Sequence, residues 1–573
     1  MLNSSRFMPT HDPKKKNPLP GLSAIFTAAG VIVVCLFTHL GAFGLVGPDE
    51  PRYAWIARAM AQTGDWVTPR LYGSPWFEKP ILYYWTAAIG FALHLPAEWA
   101  ARLPSAISAL AAAKAIAWLG WKFYPPRSNE GVARRPGLTD PILLAPIIFA
   151  TSVAAIGFAR AATPDMLFSA SIALAMAAAA FILQKSGALR SPSISPSPTQ
   201  KPSTLLLILF GAFLGLGVLA KGPAAVILAG GALALWAITT SNLRAMFRLA
   251  HPIAIVAFGV VALPWYILCA RRNPDFLHVF IFQHNFERYL TPVFQHIQPF
   301  WFFLPITLLA ILPWAAFLFF AWNETREALT TKTWKNSPTF FFSCWALFPV
   351  LFFSASRSKL PSYILPAIPS LALVLAAVAA KQGFARARGT SILVGTLLGL
   401  TWLGLGIAAA KYFLPNPETA LAAKIVLMVA CITSVVLVVA GFRRSLKLLV
   451  LASATAAAIT VEIAGLALLP GIDANISARE RSAAFDAATQ THLYTFRLTR
   501  SWNYGLAFYA RHAIPEWTPE NSGAASILTT SQGLIELKKL GRFSGAVNLQ
   551  ERGIRYVKIE AQSQPQPEPQ PAR

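Results

Sequence analysis

The chain has 573 residues, of which 55% are hydrophobic and only 13% are charged, whereas soluble domains carry about 25% charged residues. Its mean hydropathy of +0.51 excludes a water-soluble globular protein, because so much apolar surface could not be hidden from water. The net charge of +25 would suggest nucleic-acid binding in a soluble protein, but no soluble segment interleaves basic and aromatic residues, and basic cytoplasmic loops account for the charge without any nucleic acid.

The apolar runs predict an all-α polytopic membrane protein with about thirteen transmembrane helices, since each crossing needs roughly 20 apolar residues. A basic tail over residues 1–20 precedes an apolar run at 22–46. This run is longer than the ~7–15 apolar residues of a signal peptide, so we predict an uncleaved first helix. The further predicted spans begin near Ala101, Pro141, Met166, Thr204, Pro223, Pro252, Trp301, Phe340, Ile364, Ile392, Ala422 and Leu446.

The stretch 76–98 is apolar but contains the charged pair Glu78–Lys79, and is predicted to be an interfacial or re-entrant helix. The distribution of basic residues places the N-terminus in the cytoplasm and, with an odd number of spans, the C-terminal segment on the opposite side. We therefore predict a transmembrane domain over residues 21–470, a small α/β periplasmic domain over 471–560 and a disordered Pro/Gln-rich tail over 561–573. Aromatic residues of the periplasmic domain either stack on sugars or pack internally; they are Tyr494, Trp502, Tyr504, Tyr509 and Trp517.

Some polar clusters are not explained by the positive-inside rule, and all of them are predicted on the non-cytoplasmic face. They lie in segments 47–60, 76–85, 159–166, 218–225, 282–301 and 354–370. Ionisable residues at membrane depth are costly, so they indicate function. Asp49 and Glu50 follow the first span, where they either cap the next helix or act as a general base towards an acceptor. Asp165, which follows Pro164, has the same two interpretations.

Several cations on the outer face run against the positive-inside trend; they are Lys79, Lys221, Arg288, Arg357 and Lys359. They either snorkel to lipid headgroups or bind an anionic ligand. A lipid phosphate fits them, because Arg binds phosphate bidentately and Lys supplies a point charge. A ligand at the membrane interface must also be amphipathic, as a polyprenyl-phosphate sugar is.

The stretch DEPRYAWIARAMAQTGDWVTPRLYGSPWFEKPILYYW, residues 49–85, closely resembles the first periplasmic loop of the bacterial 4-amino-4-deoxy-L-arabinose (lipid A) transferase family. That family lies within the protein O-mannosyltransferase-like group of GT-C glycosyltransferases. The later stretches RAATPDM, GVLAKGP, QHIQPFWFFLP and FSASRSKLPSYILPAIPSLAL resemble the same family in the same order. The resemblance covers residues from about 40 to 370 and implies the GT-C fold.

The resemblance implies a role for each matching position. Asp49 matches the family's first-loop aspartate, the catalytic base or acceptor-orienting carboxylate, and Asp165 matches a second acid near the same cavity. Lys79 faces the donor phosphate, and Arg288 resembles the family's phosphate-binding arginine. The spacing of HNFER departs from the family pattern, which leaves the assignment of His284 open.

The complete predicted site has three groups: catalytic carboxylates Asp49, Asp165 and Glu50; donor-phosphate ligands Lys79, Arg288, Lys359, Tyr363 and Arg52; and supporting residues Glu78, Tyr53, His284 and His296. No residues are predicted to bind a metal. A divalent cation is possible at the site but is not required, because the basic side chains can stabilise the same charge.

The resemblance implies an inverting glycosyltransferase of the inner membrane that moves a sugar from undecaprenyl phosphate to a periplasmic acceptor such as lipid A. Its expected partners are the polyprenyl-phosphate sugar, the acceptor and membrane lipids. Two alternatives stay open: transfer to a protein, as in protein O-mannosyltransferases, and transport of the lipid-linked sugar. A transporter would favour inverted repeats and charges at the membrane midplane, whereas here the charges cluster on one face.

Overall fold

The computed structural model describes residues 19–126, 134–189, 202–280, 297–331, 333–382, 388–480, 482, 493–521, 524–540, 543–547 and 554–559. The predicted site residues His284, Arg288 and His296 lie outside the described residues. The α-helices are α1 Leu22–Phe37, α2 Asp49–Thr63, α3 Leu82–Ala92, α4 Ala97–Phe123, α5 Pro141–Ala150, α6 Val153–Ala159, α7 Asp165–Lys185, α8 Thr204–Lys221, α9 Ala224–Thr240, α10 Leu243–Phe247, α11 Pro252–Arg272, α12 Phe303–Ala310, α13 Leu318–Thr331, α14 Pro338–Ser354, α15 Ile368–Gln382, α16 Arg388–Phe413, α17 Pro417–Phe442, α18 Leu446–Ile463, α19 Asp473–Ile476, α20 Arg500–Ala510 and α21 Ser531–Lys539.

Among the described residues, eight helices are long and apolar enough to cross a membrane, and up to ten spans result if each of two bent helix pairs counts as one. The bent pairs are Pro141–Ala150 with Val153–Ala159 and Phe300–Ala310 with Trp314–Trp322. The protein is therefore a multi-pass helical membrane protein. Helix α3 has only 11 residues, a length of about 16 Å, which is too short for a bilayer crossing.

Helix α7 lies at the centre of the bundle, where 94% of its apolar window is buried. It is rich in alanine, and small side chains let neighbouring transmembrane helices approach closely. The same principle acts between α8 and α11, because a Cβ atom at Gly211 would come within 2.0 Å of the Ala254 carbonyl oxygen. This close packing fixes the helix ends that carry the polar clusters.

The polar loop between α1 and α3 contains α2 and a short antiparallel hairpin of β1 Arg70–Leu71 and β2 Ser74–Pro75. Helix α2 begins at Asp49, with Pro48 in the capping position, so neither Asp49 nor Glu50 is the capping residue. Acidic side chains in the first turn still favour a helix through its dipole. The segment that leads into the hairpin is fastened to α11, whose Trp265 indole donates to the Val67 carbonyl oxygen at 2.9 Å.

The C-terminal part contains a four-stranded sheet of order β3-β4-β6-β5, with β3 Leu493–Phe496, β4 Ala525–Thr530, β5 Phe543–Val547 and β6 Ile554–Ile559. Strands β3 and β4 are parallel, and the other two pairs are antiparallel. Helix α20 contacts α2 of the first loop. The Tyr509 hydroxyl donates to Glu98 Oε1 at 2.8 Å and accepts from the Leu45 N–H at 2.7 Å. The C-terminal part is therefore fastened directly to the first loop.

Candidate active site

Four charged side chains of the first loop form a continuous set, the first charge cluster, made of Asp49, Arg52, Glu78 and Lys79. One guanidinium nitrogen of Arg52, Nη2, lies 2.5 Å from Asp49 Oδ1 and 3.0 Å from Glu78 Oε2. The other carboxylate oxygen of Glu78 lies 3.4 Å from the Lys79 ammonium. Helix α2 supplies the first two residues, and the turn before α3 supplies the other two, so these two segments must stay in register for the cluster to form.

A second charge cluster, made of Asp165, Lys221 and Tyr363, joins three other segments. The Lys221 ammonium at the end of α8 pairs with the Asp165 carboxylate at the start of α7. The same ammonium lies 5.2 Å from the centre of the Tyr363 ring. Tyr363 belongs to the short 3₁₀ helix Pro361–Ala367, which leads into α15. Lys221 thus connects the predicted second acid with the predicted phosphate-binding tyrosine.

The Asp49 carboxylate is the accessible acid of the first charge cluster, since its side chain is 52% exposed while that of Glu78 is 14% exposed. Burial by surrounding protein raises the pKa of Asp49 above its ordinary value; Arg52 opposes the rise and Glu78 adds to it. Lys79 and Asp165 also act electrostatically on Asp49, so the second charge cluster lies within electrostatic range of this carboxylate. A solvent-accessible carboxylate with a raised pKa has the properties of a general base.

Glu50 occupies a different environment from Asp49. Its side-chain oxygens accept four hydrogen bonds: Oε1 from Arg102 Nε at 3.2 Å and the Ala162 N–H at 2.7 Å, and Oε2 from Arg102 Nη2 at 2.7 Å and the Val46 N–H at 2.9 Å. The residue is only 5% exposed. This arrangement does not support the predicted catalytic role of Glu50, because its lone pairs are occupied and substrate has no access to it.

Arg102 explains why Glu50 is held there. This fully buried arginine also donates to the carbonyl oxygens of Leu40, Phe43 and Gly44 at 2.7–2.9 Å. It therefore ties the loop after α1 to the start of α2. Sequence reasoning missed Arg102, although an arginine inside the apolar run of α4 is a signal for a buried partner.

Lys359 is also more buried than a surface phosphate ligand would be, with 6% of the residue exposed. Its ammonium donates to the backbone carbonyl oxygens of Gln298, at 3.1 Å, and Ser356. An ammonium group has three N–H donors, so among the residues that the structure describes one donor is left beyond these two bonds. The structure therefore gives Lys359 a role in joining the segments around 298 and 356.

Aromatic side chains surround the first charge cluster. The Arg52 guanidinium lies 5.1 Å from the Tyr53 ring centre, 5.5 Å from that of Trp76 and 5.6 Å from that of Tyr504. Tyr53 packs against the Tyr84 ring at 6.0 Å. Sequence reasoning did not assign Trp76 or Tyr84 to the site, although both lie within the quoted first-loop motif.

Three polar atoms in this aromatic wall are buried without a hydrogen-bond partner among the residues that the structure describes: Arg52 Nε, Trp76 Nε1 and Tyr84 Oη. An unpaired buried polar group is costly, so it calls for a role or an unseen partner. No group of three or more His, Cys, Asp or Glu side chains that could hold a metal ion occurs within the described ranges.

The sequence profile of the family described as dolichyl-phosphate-mannose-protein mannosyltransferase matches residues 131–280. The undecaprenyl phosphate-alpha-4-amino-4-deoxy-L-arabinose arabinosyl transferase of Erwinia tasmaniensis is 33% identical over 333 residues, covering 57% of this chain and 54% of that protein. The protein of the same name from Aeromonas hydrophila is 32% identical over 379 residues, covering 65% and 63%. The chain thus spans between half and two thirds of the length of these relatives.

Solved structures with the same fold include ArnT from Cupriavidus metallidurans bound to undecaprenyl phosphate, with a TM-score of 0.68, 21% identity, and coverage of 93% of this chain and 97% of that one. The apo state of the same protein has a TM-score of 0.69 and 22% identity. At these identities the likeness shows the fold alone. The sequence matches bear out the family resemblance that the first-loop motif predicts, and the solved structures bear out the fold.

Proposed function

We infer that this chain is a GT-C protein of the 4-amino-4-deoxy-L-arabinose transferase type, and we propose that it is an inverting glycosyltransferase. It would move a sugar from undecaprenyl phosphate to a periplasmic acceptor such as lipid A. The observation that carries the proposal is the accessible carboxylate of Asp49, set among cations from separate segments at one end of the helical bundle. The names of the sequence relatives supply the donor and its lipid carrier.

The charges of the two clusters are balanced before a donor binds. Three carboxylates, Asp49, Glu78 and Asp165, are paired with three cations, Arg52, Lys79 and Lys221. The attraction within each pair offsets part of the desolvation cost of its charges before substrate binds. A lipid phosphate adds further negative charge, so it needs further cations, and we propose that Arg288 and the remaining N–H of Lys359 supply them.

The transfer reaction requires a base that takes the proton of the acceptor and cations that stabilise the negative charge of the leaving group. As the acceptor hydroxyl oxygen attacks the anomeric carbon, its proton passes to the Asp49 carboxylate, and the bond from that carbon to the phosphate oxygen breaks. Negative charge then grows on the departing polyprenyl phosphate, where Lys79, Arg52 and Tyr363 can stabilise it. Attack opposite the leaving group inverts the anomeric configuration. No step of this chemistry requires a divalent metal.

We assign different roles to the remaining predicted residues. Asp165, held by Lys221, orients the acceptor or the sugar beside Asp49. Glu78 fixes Lys79 and Arg52 relative to each other. Glu50 is a structural residue, as its contacts with Arg102 indicate.

We propose thirteen spans in the inner membrane, with the N-terminus in the cytoplasm and the C-terminal α/β domain in the periplasm. The eight long helices, two bent pairs and three shorter apolar helices Leu22–Phe37, Ala224–Thr240 and Pro338–Ser354 support this number. Reporter fusions after residue 126 and after residue 482 test the topology: the first should report the cytoplasm and the second the periplasm. The same location for both would contradict it.

A transfer assay with purified protein in nanodiscs tests the function. Undecaprenyl-phosphate sugars would be offered with lipid A or with membrane-protein extract, and released lipid phosphate and glycosylated product would be measured. We expect one donor to be consumed with lipid A as acceptor. The mannosyltransferase profile over residues 131–280 favours a second candidate, transfer to protein, which product on the protein extract alone would support. Translocation of the lipid without cleavage of its sugar would instead indicate a transporter.

A further inference from the structure

The C-terminal helix α20 contributes a side chain to the wall of the candidate site. We propose that Tyr504 is a positioning residue for the transfer reaction, because its ring fixes the Arg52 guanidinium that holds Asp49 and Glu78. The inference rests on the proposed function. It gives the periplasmic domain a direct part in the chemistry, although the domain lies more than 400 residues from Asp49 in sequence.

The hydrogen bonds of Arg52 alone do not fix its orientation. The closest contact of each carboxylate falls on the same nitrogen, Nη2, whereas a bidentate pair sets the plane of the guanidinium through two parallel bonds. Arg52 Nε is buried without a hydrogen-bond partner among the described residues. Packing against neighbouring side chains therefore contributes to the orientation of the group.

That packing is aromatic on several sides. Tyr53 and Trp76 belong to the first loop, whereas Tyr504 approaches from the C-terminal part, 5.6 Å from the guanidinium carbon. Tyr504 in turn stacks on Tyr72 of the first-loop hairpin, with ring centres 6.4 Å apart and an angle of 27°. A cation over an aromatic ring is attracted by the ring quadrupole as well as by contact, so Tyr504 holds a charged group in place.

Tyr504 is not needed to dock the helix that carries it. One turn later, Phe508 lies 4.2 Å from the Arg58 guanidinium, and Tyr509 bonds Leu45 and Glu98. These contacts fasten α20 to the first loop independently. A change at Tyr504 should therefore alter Arg52 while the domain stays attached, which separates a positioning role from a structural one.

The experiment compares kcat/KM for sugar transfer in wild type, Tyr504→Leu and Tyr504→Phe. Leucine removes the ring, and phenylalanine keeps it. We expect Tyr504→Leu to lower kcat/KM about 2- to 30-fold, the range that corresponds to one cation–π contact, and Tyr504→Phe to stay within about twofold. The matched control is Tyr494→Leu, which changes a tyrosine of the same domain that packs in a separate apolar cluster; we expect it to keep wild-type kcat/KM.

Two further readouts distinguish positioning from general destabilisation. In a double-mutant cycle, Tyr504→Leu should have little effect in an Arg52→Lys background, since contacting partners are not additive. Arg52 also lowers the pKa of Asp49, so a displaced guanidinium should move the acidic limb of the pH profile to higher pH in Tyr504→Leu. Surrounding charges on Glu78, Lys79 and Asp165 are the same in both proteins.

Each outcome has a distinct meaning. Additive effects of Tyr504→Leu and Arg52→Lys on kcat/KM would overturn the inference. So would a lowered melting temperature of Tyr504→Leu with no shift in the acidic limb of its pH profile, and Tyr504 would then have a structural role only. Wild-type kcat/KM in Tyr504→Leu, with transfer abolished in Asp49→Asn, would also overturn it but leave the proposed function standing. Failure of the wild type to transfer any donor sugar would reject the proposed function, and the inference with it.

Discussion

Replacing Glu50 by glutamine should damage the fold rather than the chemistry. The two side chains have the same shape, but all four partners of the Glu50 oxygens are donors, two at each oxygen. Whichever way the amide is turned, its NH₂ group faces two donors and loses two hydrogen bonds. The charge opposite the fully buried Arg102 is lost as well. Breaking a buried pair by removing one partner costs about 3–5 kcal/mol.

The assay is thermal unfolding of the purified protein in detergent, with Asp49→Asn measured in parallel. Asp49 is half-exposed, and the buried Arg52 keeps Glu78 as a carboxylate partner when Asp49 is neutralised, so the loss should be small, about 0–1 kcal/mol. We therefore expect Glu50→Gln to lose several degrees of melting temperature or to fail to accumulate, while Asp49→Asn melts close to wild type. A Glu50→Gln protein with wild-type melting temperature and no transfer would refute the reasoning, and would restore the catalytic role that the sequence suggests.

Three other predictions concern the site. Because the pKa of Asp49 is raised by burial and the base must be ionised, kcat/KM should fall as pH is lowered through a value above the ordinary ~3.9 of aspartate; a limb at or below that value would contradict this. Arg52→Lys should lower kcat/KM about 10-fold or more, since lysine lacks the planar guanidinium that packs beside the Tyr53, Trp76 and Tyr504 rings; activity within twofold would count against it. Treatment with a chelator should leave the rate of sugar transfer unchanged. A loss of transfer that is restored by adding a divalent cation would show instead that a metal is required.

The membrane architecture followed from the sequence because its signal is strong. Twenty-residue apolar runs have few alternative interpretations, and the eight long helices lie where such runs occur. The short helix α3 was predicted not to span, since Glu78 and Lys79 precede it. The bends in α5–α6 and near Trp314 were not predicted, because a bend depends on packing against neighbours rather than on composition.

The candidate site was only partly predictable from the sequence. The first-loop motif pointed to Asp49, Glu78 and Lys79, and the structure brings these together through Arg52. The motif could not distinguish the role of Asp49 from that of Glu50. Adjacent residues on a helix point in different directions, and the partner of Glu50, Arg102, lies 52 residues away in sequence. Tyr504 was one of five aromatic candidates in the C-terminal part, and only tertiary contact places it beside Arg52.

The most direct test of the account is the rate of sugar transfer in Asp49→Asn against a matched carboxylate change. Glu418→Gln is a suitable control, since Glu418 is an exposed acid in the first turn of α17. General-base catalysis contributes typically 10²–10⁴-fold, so we predict that Asp49→Asn loses about that factor in single-turnover release of undecaprenyl phosphate, while Glu418→Gln matches wild type. Release by Asp49→Asn at the wild-type rate would contradict the central claim that Asp49 takes the acceptor's proton.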